Sequence, residues 1–238
     1  MTEVSEYFEG KIAIVTGASS GIGRATALLL AKRGARVVAF ARNASALAEL
    51  VVGHEGRIVP LSGDIADPTA IERLFDETEA KLGDCDLLVN NAGMIDPKPC
   101  IDVTAEEWDR MFAVNVRGAF LASRRALRNM IAKRSGAIVN VASISGVPGP
   151  EKFPGWVSYC ASKAAVIAMT EAMAVEVKGV GVRVNAVSPG SVDTQMWARA
   201  SGGAPASMTP EEIAETIAFL GSDASRPMNG QNLDVWSV

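Results

Sequence analysis

The chain is poor in the side chains that most often carry hydrolytic and metal chemistry. Of its 238 residues one is a histidine, His54, and three are cysteines, Cys85, Cys100 and Cys160. A single imidazole in a polar Gly53-His54-Glu55-Gly56 turn excludes any mechanism built on a histidine pair and most zinc sites. It also makes a Ser-His-Asp hydrolase depend on one solvated residue. The cysteines have no C-x-x-C spacing, so no metal or disulfide duty is expected of them, and they point to a reducing compartment. Basic charge is not in excess either: 23 Lys and Arg face 27 Asp and Glu, for a net charge of −4. That is the wrong sign for a protein whose partner is a phosphate backbone, so no nucleic-acid partner is expected. Long apolar runs are missing. The most apolar helical stretch, 25–31, is bracketed by Arg24 and Lys32 and falls short of the roughly 18 residues a membrane span needs. The opening MTEVSEYFEGK is acidic where a signal peptide is basic. These absences predict a soluble, cytoplasmic protein that engages no membrane.

What the chain does contain is a core. Hydrophobic residues make up 48% and charged residues 21%, an ordinary globular composition. Short β-branched runs alternate with longer helical patterns, the mark of repeated βαβ units around a parallel sheet. Strands are expected at 12–16, 36–40, 57–61, 87–90, 137–141, 183–187 and 233–236. Most are unbroken apolar runs, as strands covered by helices on both faces require. Helix starts are well marked: Asp67-Pro68 reads as an N-cap followed by proline, and Thr104 to Glu107 and Thr209 to Glu212 read as capping boxes. With no repeat or linker, residues 1–238 are expected to form one α/β domain.

The first strand runs into Thr16-Gly17-Ala18-Ser19-Ser20-Gly21-Ile22-Gly23 and then a helix of Ala and Leu. Gly17 allows a sharp turn. Gly21 and Gly23 let a pyrophosphate approach the backbone and let the helix pack on the strand, with free N–H groups and the positive dipole end facing the anion. No Gly-Lys-Ser/Thr follows, so a Walker A loop is not supported. At the end of the second strand, where many dinucleotide sites hold a ribose-binding acid, stand Ala41 and then Arg42. Loss of the acid and gain of a guanidinium favour a 2′-phosphate, hence NADP(H) over NAD(H). Ser19 or Ser20 and Asn43 would assist Arg42.

One of only two tyrosines, Tyr159, stands four residues before Lys163. That spacing puts both side chains on one helix face. A neighbouring ammonium would lower the phenol from its usual ~10 toward a working range.

The sequence resembles the short-chain dehydrogenase/reductase family. The resemblance rests on TGASSGIG near the start, Asn90-Asn91-Ala92-Gly93 after the fourth strand and Asn115 in a long helix. Val141-Ala142-Ser143, Tyr159-x-x-x-Lys163, Ser188-Pro189-Gly190 and Val192-x-Thr194 complete it, over roughly 10–234. It implies a doubly wound Rossmann fold with a seven-stranded parallel sheet ordered 3-2-1-4-5-6-7. It also implies an oxidoreductase that interconverts a carbonyl and an alcohol on a small molecule. By match, Ser143 would bind the substrate oxygen and Tyr159 would exchange a proton with it. Lys163 would hold the nicotinamide ribose and lower the tyrosine, and Asn115 would hold a water linking Lys163 to solvent. Gly17, Ser19, Ser20, Gly21, Ile22, Gly23, Arg42, Asn43, Asp64, Ile65, Asn91, Ala92, Gly93, Val192 and Thr194 would contact cofactor, and Pro189 and Gly190 would shape the nicotinamide pocket. Ser145 is a rival for the serine role. An NAD-dependent sugar or polyol dehydrogenase and a non-catalytic dinucleotide sensor are the alternatives.

The match has departures. The 16 residues from Ser143 to Tyr159 hold Pro148, Pro150 and Pro154, which predicts an enlarged loop beside the substrate. The stretch from Thr194 to Thr209 predicts a reduced helical lid. The close Leu233-Asp234-Val235-Trp236 replaces the family's Asp-Gly-Gly. Met94, Trp156, Met196, Trp197 and Trp236 either rim an apolar substrate pocket or simply pack loops onto the sheet, while Cys160 is expected to be a small buried side chain. Small residues on the helix expected over 158–178 suit a helix-paired homodimer or homotetramer, the family's common assembly.

Overall fold

The computed structural model describes residues 7–236. Each apolar run forms a strand: β1 (Ile12–Thr16), β2 (Arg36–Ala41), β3 (Ile58–Ser62), β4 (Leu87–Asn90), β5 (Gly136–Val141), β6 (Val182–Pro189) and β7 (Asn232–Val235). They make one sheet in the order β3-β2-β1-β4-β5-β6-β7, with every neighbouring pair parallel. This single-domain Rossmann fold is the architecture expected. β6 runs further than its apolar residues indicated, because Ser188 and Pro189 pair with Asp234 and Val235 of the last strand.

The helices are α1 (Gly21–Lys32), α2 (Ala44–Val51), α3 (Pro68–Lys81), α4 (Ala105–Phe112), α5 (Gly118–Ala132), α6 (Val157–Glu176), α7 (Gln195–Ala200) and α8 (Pro210–Gly221). A parallel sheet must be covered on both faces, and the strand side chains divide accordingly. Ala13, Val15, Val37 and Ala39 face a core closed by Leu30 of α1, Leu47 of α2 and Ile213 and Ile217 of α8. Ile14, Val38 and Phe40 face a second core filled by Leu74 and Phe75 of α3, Met130 of α5 and Met173 of α6. β1 and β4 are buried throughout. The outermost β3 buries only Ile58 and then alternates between half-buried and exposed positions, and it tolerates Pro60 because an edge strand has no further partner for the missing N–H.

Capping residues fix where helices begin. Asn43, Asp67, Thr104, Thr194 and Thr209 each accept a backbone N–H from the first turn that follows, and Thr104 and Thr209 form full capping boxes with Glu107 and Glu212. One segment was not foreseen. α4 and α5 are joined by a single π-helical stretch, Ala113–Arg117, which carries Asn115. Among the described residues no helix is long and apolar enough to cross a membrane.

Because α8 packs on α1 through residues that follow its capping box directly, the cap contributes to the fold. Thr209→Ala removes an oxygen that accepts from Glu212 N–H. It is expected to lower stability by about 1 kcal/mol, read as a lower urea midpoint with an unchanged slope.

Candidate active site

In a parallel sheet all strand C-termini open on one side, and a crevice forms where the strand order reverses, here between β1 and β4. The hydroxyl of Thr16 closes the two strand ends together. It accepts from the backbone N–H groups of Asn91 and Ala92 at 3.0 Å each and donates to Val89 O at 3.3 Å. The Asn91 amide donates to Thr16 O (2.9 Å) and Gly17 O (3.3 Å), so it anchors the glycine-rich turn.

That turn leads into α1 without a side-chain cap at Ser20, unlike the five capped helices. The first N–H groups of α1 therefore stay free for an anion. Gly17 has a φ of 68°, and a side chain there would strike Ala92 Cα at 2.8 Å. The sequence-based expectation for Gly23 needs correction. Gly23 does not line the cleft; a Cβ on it would come within 2.4 Å of Gly17 O, so its role is to let the helix pack beneath the turn.

The cleft, about 620 Å³, runs from this turn across the sheet edge to Trp236. It is lined by Gly17, Ser19, Ser20, Gly21, Ile22, Arg42, Asn43, Asp64, Ile65, Asn91, Ala92, Gly93, Ser143, Tyr159, Lys163, Pro189, Gly190, Val192 and Thr194. At one end Asp64 accepts from Ala66 N–H and from Arg110. Burial pushes this carboxyl up, but those bonds and the charges of Arg110 and Arg42 outweigh it, leaving it below its ordinary value. Arg110, from α4, carried no sequence signal, since only tertiary folding brings it there. Arg42 lies beside Asp64 and has no hydrogen bond or ion pair among the described residues. The Asn43 oxygen is occupied as the α2 cap, which leaves its amide N–H groups to face the cleft beside Arg42.

At the other end, β5 delivers Ser143 and α6 delivers Tyr159 and Lys163. The Ser143 oxygen caps the 3₁₀ turn Ile144–Gly146 through Ser145 N–H, and its side chain is close enough to the Tyr159 phenol to act on its titration. Ser145 lines the cleft as well. Gly146 brings the turn onto α6, since a Cβ there would stand 2.5 Å from the Lys163 carbonyl carbon. Burial pushes Tyr159 up to about 12, against the neighbouring Ser143 hydroxyl, which lowers it. Burial also pulls Lys163 down to about 8. The expected lowering of the phenol is therefore not supplied by the protein's own groups. The Lys163 ammonium donates to Val141 O at 2.8 Å and lies 5.7 Å from the tyrosine ring centre.

Asn115 sits at the π-helical stretch behind this end of the cleft. It is buried outside the cleft lining, and its amide bonds Met94 N and O and the Ser162 hydroxyl. It stands beside Gly93, as does the Lys163 ammonium. Its side chain therefore positions the Gly93–Met94 wall.

The expected rim residues Met94, Trp156, Met196, Trp197 and Trp236 do line the cleft, joined by Phe153 and Met208, which sequence reasoning missed. Met208 arrives because its segment pairs with Val192 in a parallel bridge. Cys160 is half-buried against Trp156 and Tyr159, less enclosed than expected.

Residues 11–203 match the family model described as short chain dehydrogenase. The chain belongs to the short-chain dehydrogenase family. It is 40% identical over 245 residues to cis-4-hydroxycyclohexanecarboxylate dehydrogenase of Sinomonas cyclohexanicum, covering 98% of this chain and 97% of that one. It is 37% identical over 240 residues to 3-oxoacyl-[acyl-carrier-protein] reductase FabG of Thermotoga maritima, covering 95% and 96%. A crystal structure of a short-chain type dehydrogenase/reductase from Mycobacterium marinum superimposes with a TM-score of 0.90 at 33% identity, covering 98% of this chain and 96% of that one. As a member of this family the protein is an oxidoreductase acting through a nicotinamide dinucleotide.

The buried lysine yields a pH prediction. Lys163 titrates at about 8 in the fold and near 10.5 when unperturbed. Between those values the unfolded chain holds a proton the native protein has released, so stability contributed at this site rises with pH. Relative to Lys163→Met, the unmodified protein is expected to gain stability from about pH 8 to about pH 10. Urea unfolding at both pH values checks this, and a difference that does not move with pH would contradict it.

Proposed function

We propose that the protein is an NADP(H)-dependent dehydrogenase/reductase that interconverts a ketone and a secondary alcohol on a small molecule. The observation that carries this reading is the convergence of Ser143, Tyr159 and Lys163 on one cleft that is continuous with an uncapped, glycine-lined helix start. When bound, the nicotinamide supplies or accepts the hydride. Gly17, Ser19, Gly21 and Ile22 would cradle the pyrophosphate, and Thr194, Pro189 and Gly190 would flank the nicotinamide. Ser143 would donate a hydrogen bond to the substrate oxygen, and the Tyr159 hydroxyl would pass it a proton. A phenol held near 12 is protonated at neutral pH, the form a reductase needs at this position. Lys163 would bind the nicotinamide ribose and bring positive charge toward the phenol, a charge the reverse reaction needs to stabilise phenolate.

We further read the assembly as a homodimer or homotetramer. On α6, Ala164, Ala168 and Ala172 form an exposed stripe of small residues at i, i+4, i+8, which permits close approach of a second copy's helix. Ala174 instead faces the core. Cysteines that are all unpaired support a cytoplasmic setting.

Two experiments test the reading. Tyr159→Phe is expected to cut turnover by at least about 10²-fold while NADPH affinity stays near that of the unmodified protein, because the hydroxyl serves proton transfer. Retention of more than a tenth of the rate would remove the tyrosine from the mechanism. For the cofactor, an Arg42 contact to the 2′-phosphate is worth roughly 1.5–3 kcal/mol. The double change Ala41→Asp with Arg42→Ala is therefore expected to reverse preference toward NADH. Equal kcat/KM for NADPH and NADH in the unmodified enzyme would decide against NADP(H) selectivity.

A further inference from the structure

We propose that the substrate is an uncharged ketone, or its alcohol, bearing an aromatic or alicyclic ring beside the carbonyl, and that Glu151 disfavours carbonyl compounds that carry a carboxylate. The proposal rests on the oxidoreductase reading of the same cleft and specifies what that cleft admits.

Aromatic residues are scarce in this chain, yet three of its four tryptophans, Trp156, Trp197 and Trp236, line the one cleft. Trp156 is at the centre of the group, only 6% exposed. Phe153 lies 4.7 Å from it at 31°. Tyr159 stands edge-on at 5.6 Å and 86°, and Trp197 edge-on at 6.3 Å and 82°. Phe153 and Trp197 meet in turn at 5.8 Å and 80°. Phe153 and Trp156 come from the proline-rich loop before α6, and Trp197 comes from the short α7. The loop therefore does more than lengthen the path from Ser143 to Tyr159. It places an aromatic wall against the ring whose hydroxyl would meet the substrate oxygen. Phe153 remains 47% exposed although it is stacked, so apolar surface is left for a ligand to cover. A flat or puckered ring can pack edge-to-face or offset on such a wall. A flexible linear chain gains less from it and loses more rotamer freedom on binding.

The charges point the same way. Every basic side chain of the cleft is engaged or placed away from this wall. Arg42 follows β2 at the opposite end, Arg110 is bonded to Asp64, and Lys163 donates to Val141 O. Lys152 does not line the cleft; its ammonium turns to the carbonyls of Ile144 and Val147. Glu151 lines the cleft beside Phe153 and has no ion pair among the described residues. A substrate carboxylate lying along the aromatic wall would thus meet the Glu151 carboxylate at the cleft surface, while the Lys152 ammonium, whose charge reaches Cys160, is held outside the cleft lining on two backbone carbonyls. The reaction on the favoured substrate would balance with the cofactor: reduced nicotinamide would supply the hydride to the carbonyl carbon, Tyr159 would give the oxygen its proton and recover one from solvent, and a secondary alcohol and oxidised nicotinamide would result.

The test uses the intact protein with NADPH, and with NADH in parallel, and three ketones: methyl 4-oxocyclohexanecarboxylate, the free 4-oxocyclohexanecarboxylate, and linear 2-heptanone. The methyl ester is expected to exceed both others in kcat/KM by at least about tenfold. Glu151→Gln should raise the ratio of acid to ester by about three- to tenfold, the size of one like-charge contact at a few ångströms in water. Phe153→Ala should raise KM for the ester more than for 2-heptanone. Equal use of acid and ester, or an acid-to-ester ratio that Glu151→Gln does not move, would overturn the proposal. Quenching of tryptophan fluorescence by each ketone is measured alongside, because it reads binding without turnover. Selective quenching by the ester with no turnover under either cofactor would uphold this proposal and sink the oxidoreductase reading instead. Quenching by none of the three, with no turnover, would overturn the proposal.

Discussion

The Thr16 hydroxyl holds the structure's two halves together at the point where function requires a gap. Adjacent parallel strands whose following connections leave in opposite directions must part at their C-terminal ends, and that parting is the crevice. An unsupported crevice would leave the backbone N–H groups of the β4 exit without partners, at a cost comparable to a lost hydrogen bond for each. Thr16 satisfies two of them with one oxygen. The Asn91 amide then satisfies the carbonyls on the other side. The glycine-rich turn and the start of the β4 exit take their positions from this junction.

The sheet was legible in the sequence because burial on both faces leaves a local trace, an unbroken apolar run. β1 and β4 follow that trace residue for residue. β6 outran it because Ser188 and Pro189 are not apolar; they join the strand only since β7 is there to pair with them. The capping boxes at Thr104 and Thr209 were legible for the same reason, as their chemistry is complete within four residues. The π-helical stretch at Asn115 left no such trace. Nor did Arg110, Phe153 or Met208, each of which reaches the cleft through contacts distant in sequence. Gly23 shows a different limit. Its motif identified the right neighbourhood, but a motif does not distinguish a residue that lines a cleft from one that lets its wall pack.

Tyr159 and Lys163 are buried together with no carboxylate paired to the lysine among the described residues, an arrangement that lowers stability. The fold tolerates it because the surrounding contacts leave little freedom: Gly146 lets the 3₁₀ turn press on α6, the Val141 carbonyl takes the ammonium, and Ser143 neighbours the phenol. The same burial displaces both titrations. Preorganisation and destabilisation at this site are one arrangement seen from two sides.

Pro60 has a consequence for how copies of the chain can meet. Placed in β3, it denies an N–H to any strand approaching that margin of the sheet, whereas β7 at the opposite margin retains a full set of backbone groups. Strand-to-strand growth needs two receptive margins, one on each approaching molecule, to continue indefinitely. With only one such margin, two copies joined edge to edge through β7 would leave a blocked margin at each end. Such a pairing closes on itself, and an open-ended fibre of stacked sheets is disfavoured by a single ring in the backbone.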